Sequence, residues 1–325
     1  MKVRHKFKEE NMSFRVFDAH EDIWTHIAQK NEKGETNIFD KYHLESHKAG
    51  NVQGGIFVIW IDGAYAKRPL DRLHMILKAL KEESSKAQNF VIAKDKAQYD
   101  AALGAGKIGV IFGLEGLSYI ENDLSVLEML YENGARHASF TWNEENALAT
   151  GARGSVDRGL TQLGARAVKF MEANKMLLDV SHLNDKSFWD IMKIKSTPIM
   201  ASHSNARALC NHPRNLTDDQ LKAIRDIGGV VGINAYPGFV GAHKSFEDLV
   251  DQTVYLVEKI GIDHVGCGFD FCDYLKSEGT AEVIEDFSSH SDVPNLFSVL
   301  KSKGFKDDAL QKIAHENFER LLNQL

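Results

Sequence analysis

The segment IGVIFGLEG, residues 108–116, decides the fold: a near-continuous apolar run that ends in one acid, Glu115, inside a glycine-flanked GLEG. A strand with one wet face alternates apolar and polar residues, whereas an unbroken apolar strand is covered on both faces, as in a parallel sheet. Runs of the same kind recur as FRVFDAH (14–20), GGIFVIWID (54–62), RHASFTWN (136–143), MLLDVSH (176–182), TPIMASHS (197–204), GGVVGINAY (228–236) and HVGCGFDF (264–271). Between them lie segments of helical period at 71–85, 123–134, 160–175, 185–194, 217–228 and 245–261. Several open on Ser, Thr or Asp and close near glycine. Thr217 before DDQ is one, its hydroxyl suited to accept from a first-turn amide and the two acids to the positive end of the helix dipole. Eight strands alternating with helices predict a (β/α)8 TIM barrel of α/β class, with an open doubly wound sheet as the alternative.

Composition sets further bounds. The chain has 325 residues with 43% hydrophobic content, read as an N-terminal extension over 1–13 followed by a single barrel over 14–325. A formal charge of -7 without any Lys/Arg run argues against nucleic acid as a partner. MKVRHKFKEENMS (1–13) lacks the apolar centre of a signal peptide, and QKIAHENFERLLNQL (311–325) reads as an amphipathic helix without a lipid-anchor tail. A cytoplasmic protein with no membrane attachment is expected. Three cysteines, Cys210, Cys267 and Cys272, form no Cys-x-x-Cys pair and are expected to be reduced.

Active sites of such barrels gather at the C-terminal ends of the strands. The first run ends in His20 and Asp22, the third in Glu115, the fifth in His182, the sixth in His203 and the eighth in Asp270. A period of two places His20 and Asp22 on one side and Glu21 on the other, while Asp18 shares the parity of His20 but sits deeper, in a supporting role. Imidazoles and carboxylates converging from several strands suit binuclear metal hydrolysis. Glu115 can bridge two ions about 3.5–4 Å apart. His26, His43, His47, His74, His137, His243, His290 and His315 are placed on helices or loops and set aside as ligands. His212 and His264 are placed nearer, as supporting residues at most. Met129 and Met171 read as core.

The segments FDAHED, GLEG, LLDVSHL, SHSNAR, HPRNLTDDQL and VGCGFDF, in this order and spacing, resemble the membrane (renal) dipeptidase family, zinc-dependent peptidases on an amidohydrolase-type barrel. The resemblance implies two zinc ions, or other divalent metals, with His20 and Asp22 on one, His182 and His203 on the other, and Glu115 between. Asp22, where most related barrel hydrolases carry the second histidine of His-x-His, points to the dipeptidase branch. The implied reaction is hydrolysis of a dipeptide's peptide bond by a metal-bridging hydroxide, with Asp270 as acid/base. Arg214 matches an arginine that grips the substrate carboxylate, and Tyr236 a tyrosine lining the same pocket. Trp142 stands where family members carry a histidine near the substrate carbonyl, so oxyanion help would come from its indole or from Asn143, with Trp142 otherwise a hydrophobic wall. His315-Glu316-Asn317 departs from a family glycine pair and is expected to concern only the last helix. A homodimer and tolerance of a C-terminal D-residue are also implied. Two alternatives remain: a hydrolase of N-acyl amino acids, lactams or lactones on the same metal site, and a metal- or ligand-binding barrel without turnover.

Overall fold

A computed structural model describes residues 14–278 and 282–325, and the N-terminal extension lies outside them. The strands are β1 (Val16–Glu21), β2 (Val52–Trp60), β3 (Phe90–Ala93), β4 (Ile108–Glu115), β5 (His137–Ser139), β6 (Leu177–Asp179), β7 (Met200–Ala201), β8 (Val230–Ile233) and β9 (Val265–Cys267). All pairings are parallel, and because β2 pairs with both β1 and β4 while β1 pairs with β9, eight of them close into a ring. The fold is therefore a (β/α)8 barrel, and the open sheet is excluded. β3 stands outside the ring, paired along the first half of β4 (Phe90 with Ile108 to Ala93 with Ile111), while β5 pairs with the second half. Four residues, FVIA, are too short a run to read as a strand before their partner is known.

The six anticipated helices occur as Pro69–Ser84, Ser125–Glu132, Gln162–Ala173, Asp185–Met192, Asp218–Asp226 and Phe246–Ile260. At Thr217 the expected cap is a full capping box: its hydroxyl accepts from the Gln220 amide at 3.3 Å, and the Gln220 side chain accepts from the Thr217 amide at 2.8 Å. The helices Ile23–Asn31, Leu44–Ala49, Lys96–Gly104 and Val293–Ser302 were not anticipated.

The barrel interior is filled by Phe17, Ala19, Ile56, Val58, Ile111, Leu177, Met200 and Val230 from the strands, and closed below by Tyr99 and by Phe318, Leu321 and Leu322 of the final helical segment. Tyr99 fits because β2 and β4 carry glycine in register at Gly54 and Gly109; a Cβ would lie 2.0 Å from its hydroxyl at Gly54 and 2.5 Å from its ring at Gly109. Its hydroxyl donates to Glu319 Oε1 at 2.8 Å, and the Arg15 guanidinium donates to both Glu319 oxygens at 2.9 and 2.6 Å. Burial alone would raise the Glu319 pKa, but His315, 3.3 Å away, and the hydrogen bonds from Arg15 hold it at about 2. A depressed carboxylate pKa stabilises the fold above the unfolded value, and that contribution fades as pH falls from about 4.3 towards 2. Glu319→Gln should cost about 2–3 kcal/mol at pH 7, with the difference from wild type shrinking through that acid window in urea titrations. A constant difference down to pH 3 would refute it.

The segment at 315–317 concerns this floor, as expected. Lys312–Glu316 forms a π-turn, and the Asn317 amide donates to the Ile262 and Val265 carbonyls at 2.7 and 2.8 Å. The three cysteines are unpaired. Among the described residues, no helix is long and apolar enough to cross a membrane.

Candidate active site

The site begins with an irregularity in β1. Phe17 and Ala19 point into the barrel, so simple alternation would turn His20 outwards. The register with β2, however, runs from Asp18 opposite Gly55 to Glu21 opposite Phe57, three steps against two. This bulge re-aims the side chains beyond it. The Asp18 carboxylate accepts from the His20 amide at 3.2 Å and from the Phe269 amide at 3.0 Å, tying the bulge to the segment after β9. The bulge overturns the parity expected from the sequence. Asp18 does not face the mouth beneath His20; it and Glu21 both turn towards His290, at 2.8 and 3.6 Å. His20 faces the mouth because the period is broken, and Asp22 follows the strand with a non-extended backbone.

In the mouth, Glu115 Oε1 lies 3.4 Å from His20 Nε2, 2.8 Å from His182 Nε2 and 3.5 Å from His203 Nε2. The His182 and His203 Nε2 atoms are 2.8 Å apart. Donor atoms of His20, Asp22 and Asp270 also lie within 4.8 Å of one another. Glu115 can reach this centre because Gly116 turns away at φ +72, where a Cβ would stand 2.9 Å from the Trp142 amide. His182 and Asp270 are themselves held at φ 70 and 58, left-handed backbone that is uncommon outside glycine and gathers at functional sites.

Hydrogen bonds behind the rings fix which nitrogen faces inwards. Ser202 Oγ donates to Asp179 Oδ2 at 2.5 Å and accepts from His203 Nδ1 at 2.6 Å, leaving the His203 Nε2 lone pair for the mouth. Although burial would raise it, hydrogen bonds from His137 and Ser202 hold the Asp179 pKa at about 2. His137, expected on a helix or loop, lies on β5 and donates to Asp179 at 3.1 Å. His182 Nδ1 faces the Asn143 amide oxygen at 3.3 Å, so that oxygen orients the ring. The two outlying histidines divide. His212 Nδ1 accepts from the Arg214 amide at 3.1 Å, whereas His264 lies before β9, at the other end of the barrel from the mouth, and bonds to the Gly229 carbonyl.

Burial keeps all three mouth imidazoles neutral, His20 at about 3 and the others well below the usual value. Burial together with mutual repulsion raises Asp22 and Glu115, and burial raises Asp270 to about 7. Both His20 ring nitrogens and Asp22 Oδ1 are buried without a hydrogen-bond partner. Neutral imidazoles with inward lone pairs, beside carboxylates short of positive charge, make a donor set that fits divalent cations.

Arg214 is 4% exposed and is no surface ion pair. One guanidinium nitrogen donates to the His203 carbonyl at 3.2 Å, Nε has no partner, and burial lowers its pKa to about 10. Tyr236 is half-buried, its ring 4.7 Å from that of Phe239, and begins the short helix Pro237–Val240. Trp142 stands with its ring 6.4 Å from that of His182 and 5.5 Å from that of Trp60. Trp60 was missed in the sequence. Its register opposite Glu115 turns it to the mouth, and its buried Nε1 has no partner; only the β2–β4 pairing reveals this.

Known proteins share this fold. A metallopeptidase from Rhodobacter sphaeroides, solved with a phosphinate mimic of the dipeptide L-Ala-D-Ala, superposes with a TM-score of 0.86 at 25% identity over 96% of this chain and 99% of its own. The dipeptidase AC, a metallopeptidase of family M19, does so with a TM-score of 0.86 at 26% identity over 96% and 98%. An uncharacterized dipeptidase of Schizosaccharomyces pombe is 34% identical over 51% of this chain and 42% of its own. An uncharacterized Klebsiella pneumoniae protein encoded in the pqqA 5' region is 34% identical over 67% and 82%. The family model for membrane dipeptidase (peptidase family M19) matches residues 5–325. With that match spanning the barrel and every strand end that builds the mouth, the chain belongs to the membrane dipeptidase family, peptidase family M19, and is a metallo-dipeptidase.

Proposed function

We propose that this chain cleaves dipeptides, L-Xaa-D-Xaa among them, at a dinuclear zinc centre held by His20, Asp22, Glu115, His182 and His203. Arg214 is the observation that carries the reading of the substrate. A buried guanidinium with an unpaired Nε beside the mouth is costly unless a ligand anion completes it, and a free C-terminal carboxylate matches its bidentate fork. When bound, divalent cations in this site supply Lewis acidity towards the amide carbonyl and lower the pKa of water. Asp270 takes the proton of the attacking water and delivers it to the leaving nitrogen. Asn234 Nδ2 holds its Oδ2 at 3.0 Å, which leaves Oδ1 towards His20 at 3.9 Å. Zinc is favoured among cations by the imidazole and carboxylate donors. Cytoplasmic location and a homodimer rest on the sequence reading and the family resemblance.

Around the eight-strand ring, β7, which precedes Arg214, lies opposite β2, which ends in Trp60. A dipeptide gripped at its carboxylate therefore extends its N-terminal side chain towards Trp60 and Trp142. The test is a kinetic panel of Gly-, Leu- and Phe-L-Ala, L-Ala-D-Ala, and N-acetyl and N-hexanoyl amino acids with zinc-loaded protein. Dipeptides should be turned over fastest, with bulky apolar N-terminal residues above glycine. Faster turnover of the acylated amino acids would move the reading to an N-acyl hydrolase on the same metals. Arg214→Gln should lower kcat/KM for dipeptides by about 10–100-fold, mainly through KM, the value of a charge-assisted pair. It should have little effect on the corresponding dipeptide amides. An equal loss on both would mean that the arginine is structural.

A further inference from the structure

A second group of metal-type donors lies outside the barrel wall, behind the β1 bulge. Glu21 leaves β1 away from the mouth, His47 comes from the helix Leu44–Ala49, and His290 opens the turn His290–Asp292. All three are buried, at 2, 0 and 4% exposure. Their donor atoms lie within 4.8 Å of one another, with His47 Nε2 2.9 Å and His290 Nε2 3.6 Å from Glu21 Oε2. A fourth oxygen is at hand, since Asp18 Oδ2 is 2.8 Å from His290 Nε2. The other Asp18 oxygen is already committed to the His20 and Phe269 amides.

Hydrogen bonding leaves this group unfinished. His47 Nδ1 donates to the His43 carbonyl at 3.0 Å, which in the neutral ring turns the Nε2 lone pair towards Glu21. A lone pair facing a carboxylate repels it unless a proton or a cation lies between. Both Glu21 oxygens and His47 Nε2 are buried without a satisfied hydrogen bond. His290 Nε2 can donate one proton, and two carboxylates compete for it. Two carboxylates and two imidazoles closed off from water are the composition of a four-coordinate structural cation site, whose ligands have no open position.

We propose that Glu21, His47, His290 and Asp18 bind a structural divalent cation, zinc by its chemistry, separate from the centre in the mouth. Such an ion would pin the helix Leu44–Ala49 and the turn at His290 to the β1 bulge that aims His20. Its role is one of positioning, exerted through Asp18 and the backbone between Asp18 and His20.

The experiment uses full-length protein purified with zinc and desalted. An anomalous map collected on either side of the zinc edge should show a peak among Glu21, His47 and His290, resolved from any peak among His20, Glu115 and His203. Elemental analysis of His290→Gln and His47→Gln should give one zinc per chain fewer than wild type. A wild-type map with peaks in the mouth alone, and unchanged zinc content in the two variants, would overturn the proposal and leave an ion-pair cluster in which a protonated His47 faces Glu21. If the variants fail to fold, the wild-type map decides by itself. Because the two positions are resolved, failure of this site is distinguishable from failure of the mouth.

Discussion

Asp270→Asn is expected to cut kcat for dipeptides by about 10²–10⁴-fold, the range for a general acid/base, while KM and zinc content stay near wild type. Asparagine is the informative replacement. The residue sits at φ 58, a left-handed conformation that Asp and Asn tolerate better than most side chains, so the backbone after β9 can be kept. The amide oxygen can also still accept from Asn234, which bonds the native carboxylate at 3.0 Å. What is lost is the capacity to take up a proton and return it. In the metal-free site burial raises Asp270 to about 7, and its largest opposing influence is Arg214. Steady-state kinetics on protein of measured zinc content checks this. Undiminished kcat with the metals in place would remove Asp270 from the mechanism.

Much of the site could be read from strand ends, because the barrel rule converts a position in the chain into a position in space. His20, Glu115, His182, His203 and Asp270 each end a recognisable apolar run, and the structure brings them into one mouth. In β1, His20 faces the mouth, but not for the reason that its parity suggests. A period of two places Asp18 and His20 on one face, but a bulge, which leaves no mark in an apolar-to-polar pattern, separates them. Groups joined only by tertiary packing were illegible for a different reason. His290 meets Asp18 across 272 positions and His47 meets Glu21 from a six-residue helix, and no local periodicity connects either pair. Trp60 was hidden because its orientation depends on register with β4. Asn143 could be placed at the mouth, but its task depends on the His182 tautomer that it faces.

Removing the metals should abolish turnover and weaken the fold together. Asp22 and Glu115 are buried beside the partly exposed Asp270, and Arg214 is the guanidinium whose charge opposes the rise of the latter two acids. Without cations the mouth must hold carboxylates against neutral imidazoles, with His182 and His203 Nε2 only 2.8 Å apart. A ligand that binds only the folded state stabilises it by about 4 kcal/mol at a thousand times its dissociation constant. For a chain of this size that corresponds to a fall in Tm of roughly 5–10 °C on stripping. Dialysis against a strong chelator, followed by calorimetry and dipeptide assays with and without added zinc, checks both halves. Activity should drop below about 1% and return with zinc, since both the Lewis acid and the acidified water are lost. The two readouts separate the possible roles. If Tm falls while cleavage continues in protein shown to be metal-free, the ions are structural and hydrolysis belongs to the side chains alone. If cleavage stops while Tm holds, the imidazoles and acids tolerate an empty centre, and their packing is stabilised by the barrel around them.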